Sequence, residues 1–271
     1  MPRSPLLPCA ALGSLALGSA ILWGCGEPPK LHGTVQDVWG HPVSGATVTV
    51  EGVVEQQSTD GAGAFSLVVP AAPMRVLAGK EGYIPATTRV SPLAEGQDPE
   101  TAPVVTLMLY PNPDHMGFYA VGRQKYHELD AFDVHTIGTQ VRALTGVTDI
   151  GEAHITQDGP LTFVFSTKLR IERLAQLDLQ LHRLQFISES TLPGVLGETA
   201  TDINLWAAAG PEIPYDLVVM PSRDDFLIKL REPLPKGAYA FDTQGALTNH
   251  SYAGLDKLPK ELRVAYVFEV P

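Results

Sequence analysis

The sequence predicts an all-β protein made of two β-sandwich domains in tandem. Glycine and proline are abundant, with 25 and 23 of the 271 residues, which favours a turn-rich β protein over a helical one. Short runs of alternating apolar and polar residues are separated by Asp-Gly turn signals. Two prolines within residues 111–114 end the strand pattern and mark a boundary between two domains. We therefore expect β-rich domains at residues 31–110 and 115–271, joined by a linker at 111–114, with one short helix at most in the second.

The strongest strand and turn signals lie in residues 31–70. Asp37 is followed three residues later by Gly40, the pattern of a type I turn in which the carboxylate accepts a backbone hydrogen bond two residues on. Asp60 and Gly63 repeat this pattern at the next turn. β-Branched residues flank both turns, so each turn is expected to join two strands. Both glycines are expected to have positive φ, which residues with a side chain resist.

The spacing of these residues is G-x-V-x-D-x-x-G-x-P-V-x-G-A-x-V, followed by T-D-x-x-G-x-F-x-L. It resembles the carboxypeptidase regulatory-like domain, a small β-sandwich of prealbumin-like topology. The resemblance covers residues 30–110 and implies a prealbumin-like first domain. Because this family serves as a non-catalytic accessory in many unrelated proteins, the resemblance specifies a fold and no activity. Residues 115–271 resemble no family that we can name.

The first 25 residues have the pattern of a secretion signal. Residues 10–23 form a charge-free run of 14 residues, a length that suits a signal peptide. The run is too short to span a bilayer, which needs about 20 residues. The run ends in Leu-Trp-Gly-Cys, which resembles the lipobox of bacterial lipoproteins. This resemblance implies that residues 1–24 are removed, that Cys25 is lipidated and that residues 25–30 form a tether. The alternative is an uncleaved N-terminal anchor.

Composition and the residues around the lipobox predict the location and the partners. An aspartate after the lipidated cysteine often retains such proteins at the inner membrane, so Gly26 favours the outer membrane. The only other cysteine, Cys9, lies inside the predicted signal, so we expect no disulfide in the mature chain. The formal charge is −11 and no run of basic residues occurs, which argues against a nucleic-acid partner. We expect contact with the membrane through the lipid, and an envelope protein or a glycan as partner.

The second domain is predicted from pattern alone. Hairpins are expected at residues 117–129 and 152–165, the second of them around a turn at 157–160. Residues 171–187 fit both a helical face and strand alternation, and we expect a helix followed by a strand. Further strands are expected at residues 213–220, 225–230, 237–242 and 263–270.

No catalytic motif is present in the sequence. It has no G-x-S-x-G, no H-E-x-x-H and no glycine-rich phosphate loop that opens a helix. Five potential metal ligands do fall within nine positions: His127, Glu128, Asp130, Asp133 and His135. They match no recurrent ligand spacing, so a hydrated connection between strands explains them better than a metal site does. We expect no catalytic residue, no metal and no cofactor.

Trp39 lies at the tip of the first turn, where a large apolar ring is expected to pack on something. One interpretation is packing against the domain or the linker, and the other is ligand binding.

These observations favour a membrane-anchored envelope lipoprotein with a non-catalytic binding or scaffolding role. The alternative hypothesis is an envelope hydrolase whose site lies in residues 115–271.

Overall fold

The computed structural model describes residues 30–68, 73–91, 104–138, 143–167, 178–188, 204–222, 225–248 and 263–271. Every regular element in these ranges is a β-strand, which confirms the all-β fold class. Within the same ranges, no helix has the length and hydrophobicity needed to cross a membrane. Cys25, the predicted signal peptide and the helical part predicted in residues 171–187 lie outside the described residues.

The first sandwich consists of two four-stranded sheets. Its strands are β1 (Lys30–Asp37), β2 (Thr47–Val50), β3 (Gln56–Ser58), β4 (Ala64–Val68), β5 (Met74–Gly79), β6 (Tyr83–Ile84), β7 (Ala86–Val90) and β8 (Val105–Pro111). One sheet has the order β4-β1-β8-β6, and the other has the order β3-β2-β5-β7. β1 and β8 pair in parallel, whereas all other pairs of this sandwich are antiparallel.

An aliphatic core fills the space between these two sheets. Val35, Val48 and Val76 are fully buried, because alternate residues of a strand point to the same side of its sheet. The Phe65 ring lies against Gly33, where an added Cβ atom would overlap it. The Phe65 ring therefore occupies the space that a side chain at position 33 would need.

Both aspartate turns have the predicted geometry. The Asp37 carboxylate accepts a hydrogen bond from the Trp39 N–H at 2.9 Å, and Asp60 accepts one from the Ala62 N–H at 2.9 Å. Gly40 and Gly63 donate their N–H groups to the carbonyls of the same two aspartates, both at 3.0 Å. The φ angles are 85° at Gly40 and 73° at Gly63, so the expectation of positive φ is confirmed.

The second sandwich pairs a five-stranded sheet with a seven-stranded one. Its strands are β9 (Gly117–Val121), β10 (Tyr126–Glu128), β11 (Asp130–Asp133), β12 (His135–Gly138), β13 (Ala143–Val147), β14 (Thr162–Ser166), β15 (Leu179–Ser188), β16 (Asn204–Ala209), β17 (Tyr215–Val219), β18 (Asp225–Leu230), β19 (Gly237–Thr243) and β20 (Val264–Val270). The sheet orders are β10-β9-β14-β18-β17 and β11-β20-β19-β15-β16-β13-β12.

Aromatic rings dominate the core between these two sheets. Phe118 stacks on Phe165 with ring centroids 4.2 Å apart and on Phe241 at 4.9 Å. Phe163 meets Phe241 edge-on at 5.1 Å and tilts against Phe268 at 5.2 Å. Each fully buried phenylalanine contributes about 1.5–3 kcal/mol relative to an exposed one, so this cluster is the main stabilising element of the second sandwich.

The seven-stranded sheet is curled, so that its two edge strands meet at one corner. β11 ends at Asp133 and β12 begins at His135, with only Val134 between them, although these strands are at opposite ends of the strand order. Because consecutive Cα atoms are about 3.8 Å apart, the two strand ends lie within about 8 Å. The curl encloses the face turned away from the five-stranded sheet, which carries small buried residues such as Ala240 and Ala265.

One predicted hairpin is wrong. Residues 152–156 do not pair with β14; instead, His154 forms a parallel bridge with Glu269 of β20, and the Ile155 N–H donates to the Glu269 carbonyl at 2.7 Å. Ile155 is fully buried in the aromatic core, and this burial favours pairing with β20 over the local turn. The other predicted hairpin, β9–β10, is confirmed, as is a strand over the described part of residues 171–187.

Candidate functional site

Trp39 is half-buried in a contact between the two sandwiches. Its indole N–H donates to the Gly122 carbonyl at 3.0 Å, and its ring meets Tyr126 edge-on at a centroid distance of 5.4 Å. The partner is therefore the second sandwich, 83 residues further along the chain. The first interpretation placed the ring against its own domain or the linker, whereas these contacts are with the second sandwich; ligand binding by Trp39 stays a prediction.

An apolar cluster surrounds this contact. Ile84 and Tyr110 from the first sandwich pack with Val164 and Leu227 from the outer face of the five-stranded sheet. The predicted linker is part of the same contact, because Pro111 belongs to β8 and its carbonyl accepts a hydrogen bond from the Tyr126 hydroxyl at 2.9 Å. Burial of that hydroxyl raises the pKa of Tyr126, which keeps it a donor across the neutral range.

The five potential metal ligands of residues 127–135 are divided between the two sheets. His127 and Glu128 lie on β10, whereas the other three lie on β11 and β12. The Asp130 carboxylate accepts hydrogen bonds from the N–H groups of Glu152 at 2.8 Å and Ala153 at 3.1 Å. Within the described ranges, no three His, Cys, Asp or Glu side chains converge to hold a metal. The expected lack of a metal in the whole chain stays a prediction.

A cleft of about 1000 Å³ opens at one end of the second sandwich. It lies among β15, the connection from β16 to β17 and the connection from β18 to β19. Its lining is mostly apolar and includes Leu184, Ile213, Leu230, Leu234 and four prolines: Pro211, Pro214, Pro233 and Pro235. This volume is at the upper end of the range typical of ligand sites, about 300–1000 Å³.

Side-chain hydrogen bonds hold one wall of the cleft in place. The Gln157 carboxamide accepts the Leu234 N–H at 3.1 Å and donates to the carbonyl of the same residue. The Tyr239 hydroxyl donates to the Pro235 carbonyl at 2.6 Å. The two prolines in each connection, together with the anchored Leu234 and Pro235, leave this lining little freedom to lose on binding, which reduces the entropic cost of binding.

Two arginines and one glutamate, Glu232, are the charged residues that line the cleft. Arg231 donates twice to the Asp216 carboxylate, at 2.8 and 3.1 Å, and both side chains are exposed. Arg183 donates to the Lys236 carbonyl at 3.1 Å and lies against Gly237, where an added Cβ atom would come within 3.3 Å of the guanidinium. A guanidinium has five N–H donors, so each arginine retains donors for an acidic ligand.

A buried pair of an aspartate and a histidine lies on the enclosed face of the seven-stranded sheet. The pair is close to the cleft residues in the sequence, but it lies on a different surface. Asp242 of β19 is 0% exposed and His182 of β15 is 4% exposed, with His182 Nε2 3.7 Å from Asp242 Oδ1. The other carboxylate oxygen accepts the Leu247 N–H at 2.9 Å, and His182 Nε2 contacts Gln180 Oε1 at 3.1 Å. Asp242 Oδ1 and His182 Nδ1 have no hydrogen-bond partner within the described part.

Burial shifts both titrating groups of this pair towards their neutral forms. Desolvation raises the pKa of Asp242 to about 7, with Asp178 and Glu212 adding repulsion and the Leu247 N–H opposing it. Desolvation also lowers the pKa of His182. Neither residue stands out in the sequence, because polar residues that alternate with apolar ones normally indicate a solvent-facing side of a strand.

A comparison with known families finds a match over the first sandwich. A family model described as the carboxypeptidase regulatory-like domain matches residues 30–107, which are strands β1 to β7 and the start of β8. The predicted resemblance is therefore confirmed for this domain, with its prealbumin-like β-sandwich. A comparison with curated proteins finds no match for the chain.

Proposed function

We propose that the protein is a lipoprotein tethered to the outer membrane through Cys25, and that it binds an envelope protein without catalysing a reaction. The observation that carries this proposal is the cleft of the second sandwich, which combines a fixed apolar lining with two arginines on its rim. Such a lining suits a ligand with apolar side chains and at least one acidic group. The first sandwich then serves as the accessory domain that supports the second.

The lining favours a protein segment over a glycan as the ligand. Sugar rings are commonly bound on the exposed face of an aromatic side chain, which supplies a flat apolar surface. Tyr239 is the aromatic residue in the lining, and it is only 1% exposed, with its hydroxyl bound to Pro235. The apolar walls are instead formed by aliphatic and proline side chains, which match the side chains of a polypeptide.

The same lining argues against the alternative of a hydrolase in residues 115–271. Its described residues include no Ser, Thr, Cys or His that would act as nucleophile or as a histidine base. Asp242 and His182 have the chemistry of a general acid–base pair, but they are enclosed by the curled sheet and are almost inaccessible to a substrate. Binding without catalysis is the simpler function for this surface.

Replacement of Cys25 by serine is expected to abolish membrane attachment, because a serine hydroxyl does not form the thioether to the lipid. Two or more acyl chains hold a protein firmly, at about 0.8 kcal/mol per buried CH₂ group. Fractionation of cells labelled with a radioactive fatty acid measures this. The label and the membrane association should both be lost in Cys25→Ser. Label retained at wild-type level would show that Cys25 is not the lipidated residue.

Replacement of Arg183 by glutamate is expected to remove the bound envelope protein. Charge reversal on the rim changes attraction for an acidic ligand into repulsion, and we expect a loss of at least about 10-fold in affinity, or about 1.4 kcal/mol. The measurement is quantitative mass spectrometry of proteins that co-purify with the intact lipoprotein from its own membranes. Arg89→Glu is the matched control, because Arg89 is an exposed arginine on β7 of the first sandwich and does not line the cleft. Equal recovery of the same proteins with both variants would contradict the assignment of the cleft as the binding site.

A further inference from the structure

β17 is an exposed edge strand with an unusual run of apolar side chains. It is the last strand of the five-stranded sheet and pairs only with β18 among the described residues. Leu217, Val218 and Val219 are 41%, 40% and 37% exposed. Natural sheets normally protect such an edge with lysine, proline, a bulge or a very short strand. The other edge of this sheet, β10, follows that rule with three residues that include His127 and Glu128.

The pairing register shows which backbone groups of β17 point away from β18. The Met220 N–H donates to the Asp225 carbonyl at 3.1 Å, and the antiparallel register continues through Val218 opposite Leu227. Because hydrogen-bonded pairs alternate along an antiparallel ladder, Val218 bonds to β18, whereas Leu217 and Val219 direct their N–H and C=O groups outwards. The edge therefore offers two donors and two acceptors at the spacing of a β-ladder.

The exposed side chains continue an existing core face. Tyr215, Leu217 and Val219 point to the same side of the sheet, and Tyr215 packs against the aromatic core. Leu217 and Val219 lie on the same inner face but stay more than a third exposed. An added strand on this edge would extend the apolar face and cover both side chains.

The cleft begins where β17 begins. Ile213 and Pro214 line the cleft and lead directly into Tyr215, and Arg231 on the rim pairs with Asp216 of the same strand. β17 runs away from the cleft, so a strand added antiparallel to it would run towards the cleft. The C-terminal end of that strand would then meet Arg231 and Arg183.

We propose that β17 binds an extended peptide segment as an added antiparallel strand, whose C-terminal end places acidic groups at the arginines of the cleft. This inference rests on the proposed binding function and names its partner as a strand-forming protein segment with apolar residues followed by acidic ones. The outward backbone groups at Leu217 and Val219 supply the affinity, and the cleft supplies the selectivity. The negative end of the segment complements the Arg183 guanidinium, which donates to a backbone carbonyl, whereas the charge of Arg231 is already paired with Asp216.

The test uses the full-length lipoprotein in detergent and a fluorescent peptide of about seven residues. The peptide alternates valine and threonine and ends in two aspartates, and binding is followed by fluorescence anisotropy. The same peptide with N-methyl groups on its valines cannot donate hydrogen bonds to the edge while its valine side chains face the core side of the sheet. We expect saturable binding of the parent peptide and a loss of about 10-fold or more for the N-methylated peptide. Equal binding of both peptides, or no binding of the parent, overturns the proposal.

Proline substitutions in the protein, instead of changes in the peptide, test the same edge. Leu217→Pro removes an outward N–H and leaves the ladder with β18 intact, as proline on an edge strand allows. We expect this variant to keep its unfolding midpoint and to lose peptide binding by about 10-fold or more. Val218→Pro removes a bond to β18 instead and should lower the unfolding midpoint. Wild-type peptide affinity in a folded Leu217→Pro variant overturns the proposal.

Two further outcomes separate this inference from the proposed function. If Arg183→Glu loses the envelope protein while Leu217→Pro retains it, the cleft binds the partner and strand addition is wrong. If sedimentation shows a dimer that Leu217→Pro dissociates, the edge is occupied by a second copy of the chain, and the peptide proposal is overturned. Loss of the envelope protein in both variants, each still folded, supports strand addition and the proposed function together.

Discussion

Replacement of Gly63 by valine is expected to destabilise the protein by roughly 3–5 kcal/mol. The φ of 73° costs a β-branched residue about 1–3 kcal/mol. An added Cβ atom would also overlap the Val35 carbonyl oxygen and approach the Val43 backbone nitrogen to 3.2 Å. Because the Val43 N–H donates to that carbonyl at 2.9 Å, relief of the overlap must disturb this hydrogen bond and the start of the hairpin.

Gly40→Val is the matched control for this prediction. Gly40 has a similar φ of 85° and ends the same kind of aspartate turn, but an added Cβ atom meets nothing within 4 Å. It should therefore cost only the backbone strain, about 1–3 kcal/mol. Denaturant unfolding of both variants measures the difference. Equal losses of free energy would show that the close approach to Val35 is relieved without cost.

Asp242→Asn is expected to remove a large pH dependence of stability. The folded pKa of Asp242, about 7, lies well above the about 3.9 of an unfolded aspartate, because burial favours the protonated carboxyl. Its contribution to stability is complete below about pH 4 and is lost as the pH rises through about 7. At about 1.4 kcal/mol per unit, this loss is of the order of 4 kcal/mol between pH 4 and pH 8.

His182 titrates in the same pH range with the opposite sign. Its folded pKa is lowered, so its contribution is present above about pH 6.5 and is lost as the pH falls. Comparison of Asp242→Asn with the wild type at each pH separates the two groups, since His182 is present in both proteins. The variant should gain several kcal/mol relative to the wild type between pH 4.5 and pH 8.

Denaturant unfolding at these two pH values measures that gain. Asp158→Asn is the control, because Arg123 lowers the pKa of the exposed Asp158 carboxyl and so gives it the opposite sign. A difference between Asp242→Asn and the wild type that does not change with pH would show that the Asp242 carboxyl ionises normally in the folded protein.

The turns of the first sandwich were predictable because their causes are local. The carboxylates of Asp37 and Asp60 and the positive φ of Gly40 and Gly63 act within four residues, so the pattern alone specifies the geometry. The residue that packs against Trp39 could not be predicted in the same way. Tyr126 becomes its neighbour only when the two sandwiches meet.

The second sandwich was predicted less well because its pairings are long-range. Residues 152–156 have the pattern of a hairpin strand, but the burial of Ile155 places them beside β20. Gln180 and His182 alternate with apolar residues, which predicts a solvated face for β15. The curl of the seven-stranded sheet encloses that face instead, and a curl that depends on strand order is not visible in any single segment.

The cleft was missed for a related reason. Its prolines lie in two separate connections, and its arginines lie on β15 and just after β18. Each group by itself reads as an ordinary turn or a solvated side chain. The nearest signal in the sequence was a pair of prolines in each of residues 211–214 and 233–235, which becomes informative only when the strand order brings both segments together.

The intact mass of the bound envelope protein shows most directly whether this protein binds that partner without catalysing a reaction on it. The partner is captured by the full-length protein, incubated in the complex and then recovered for mass spectrometry beside a sample that was never mixed with the protein. We expect the same mass in both samples and no stoichiometric zinc in the complex. A mass change that corresponds to hydrolysis, abolished together with bound zinc in His127→Ala and His135→Ala, would contradict this expectation and favour the hydrolase.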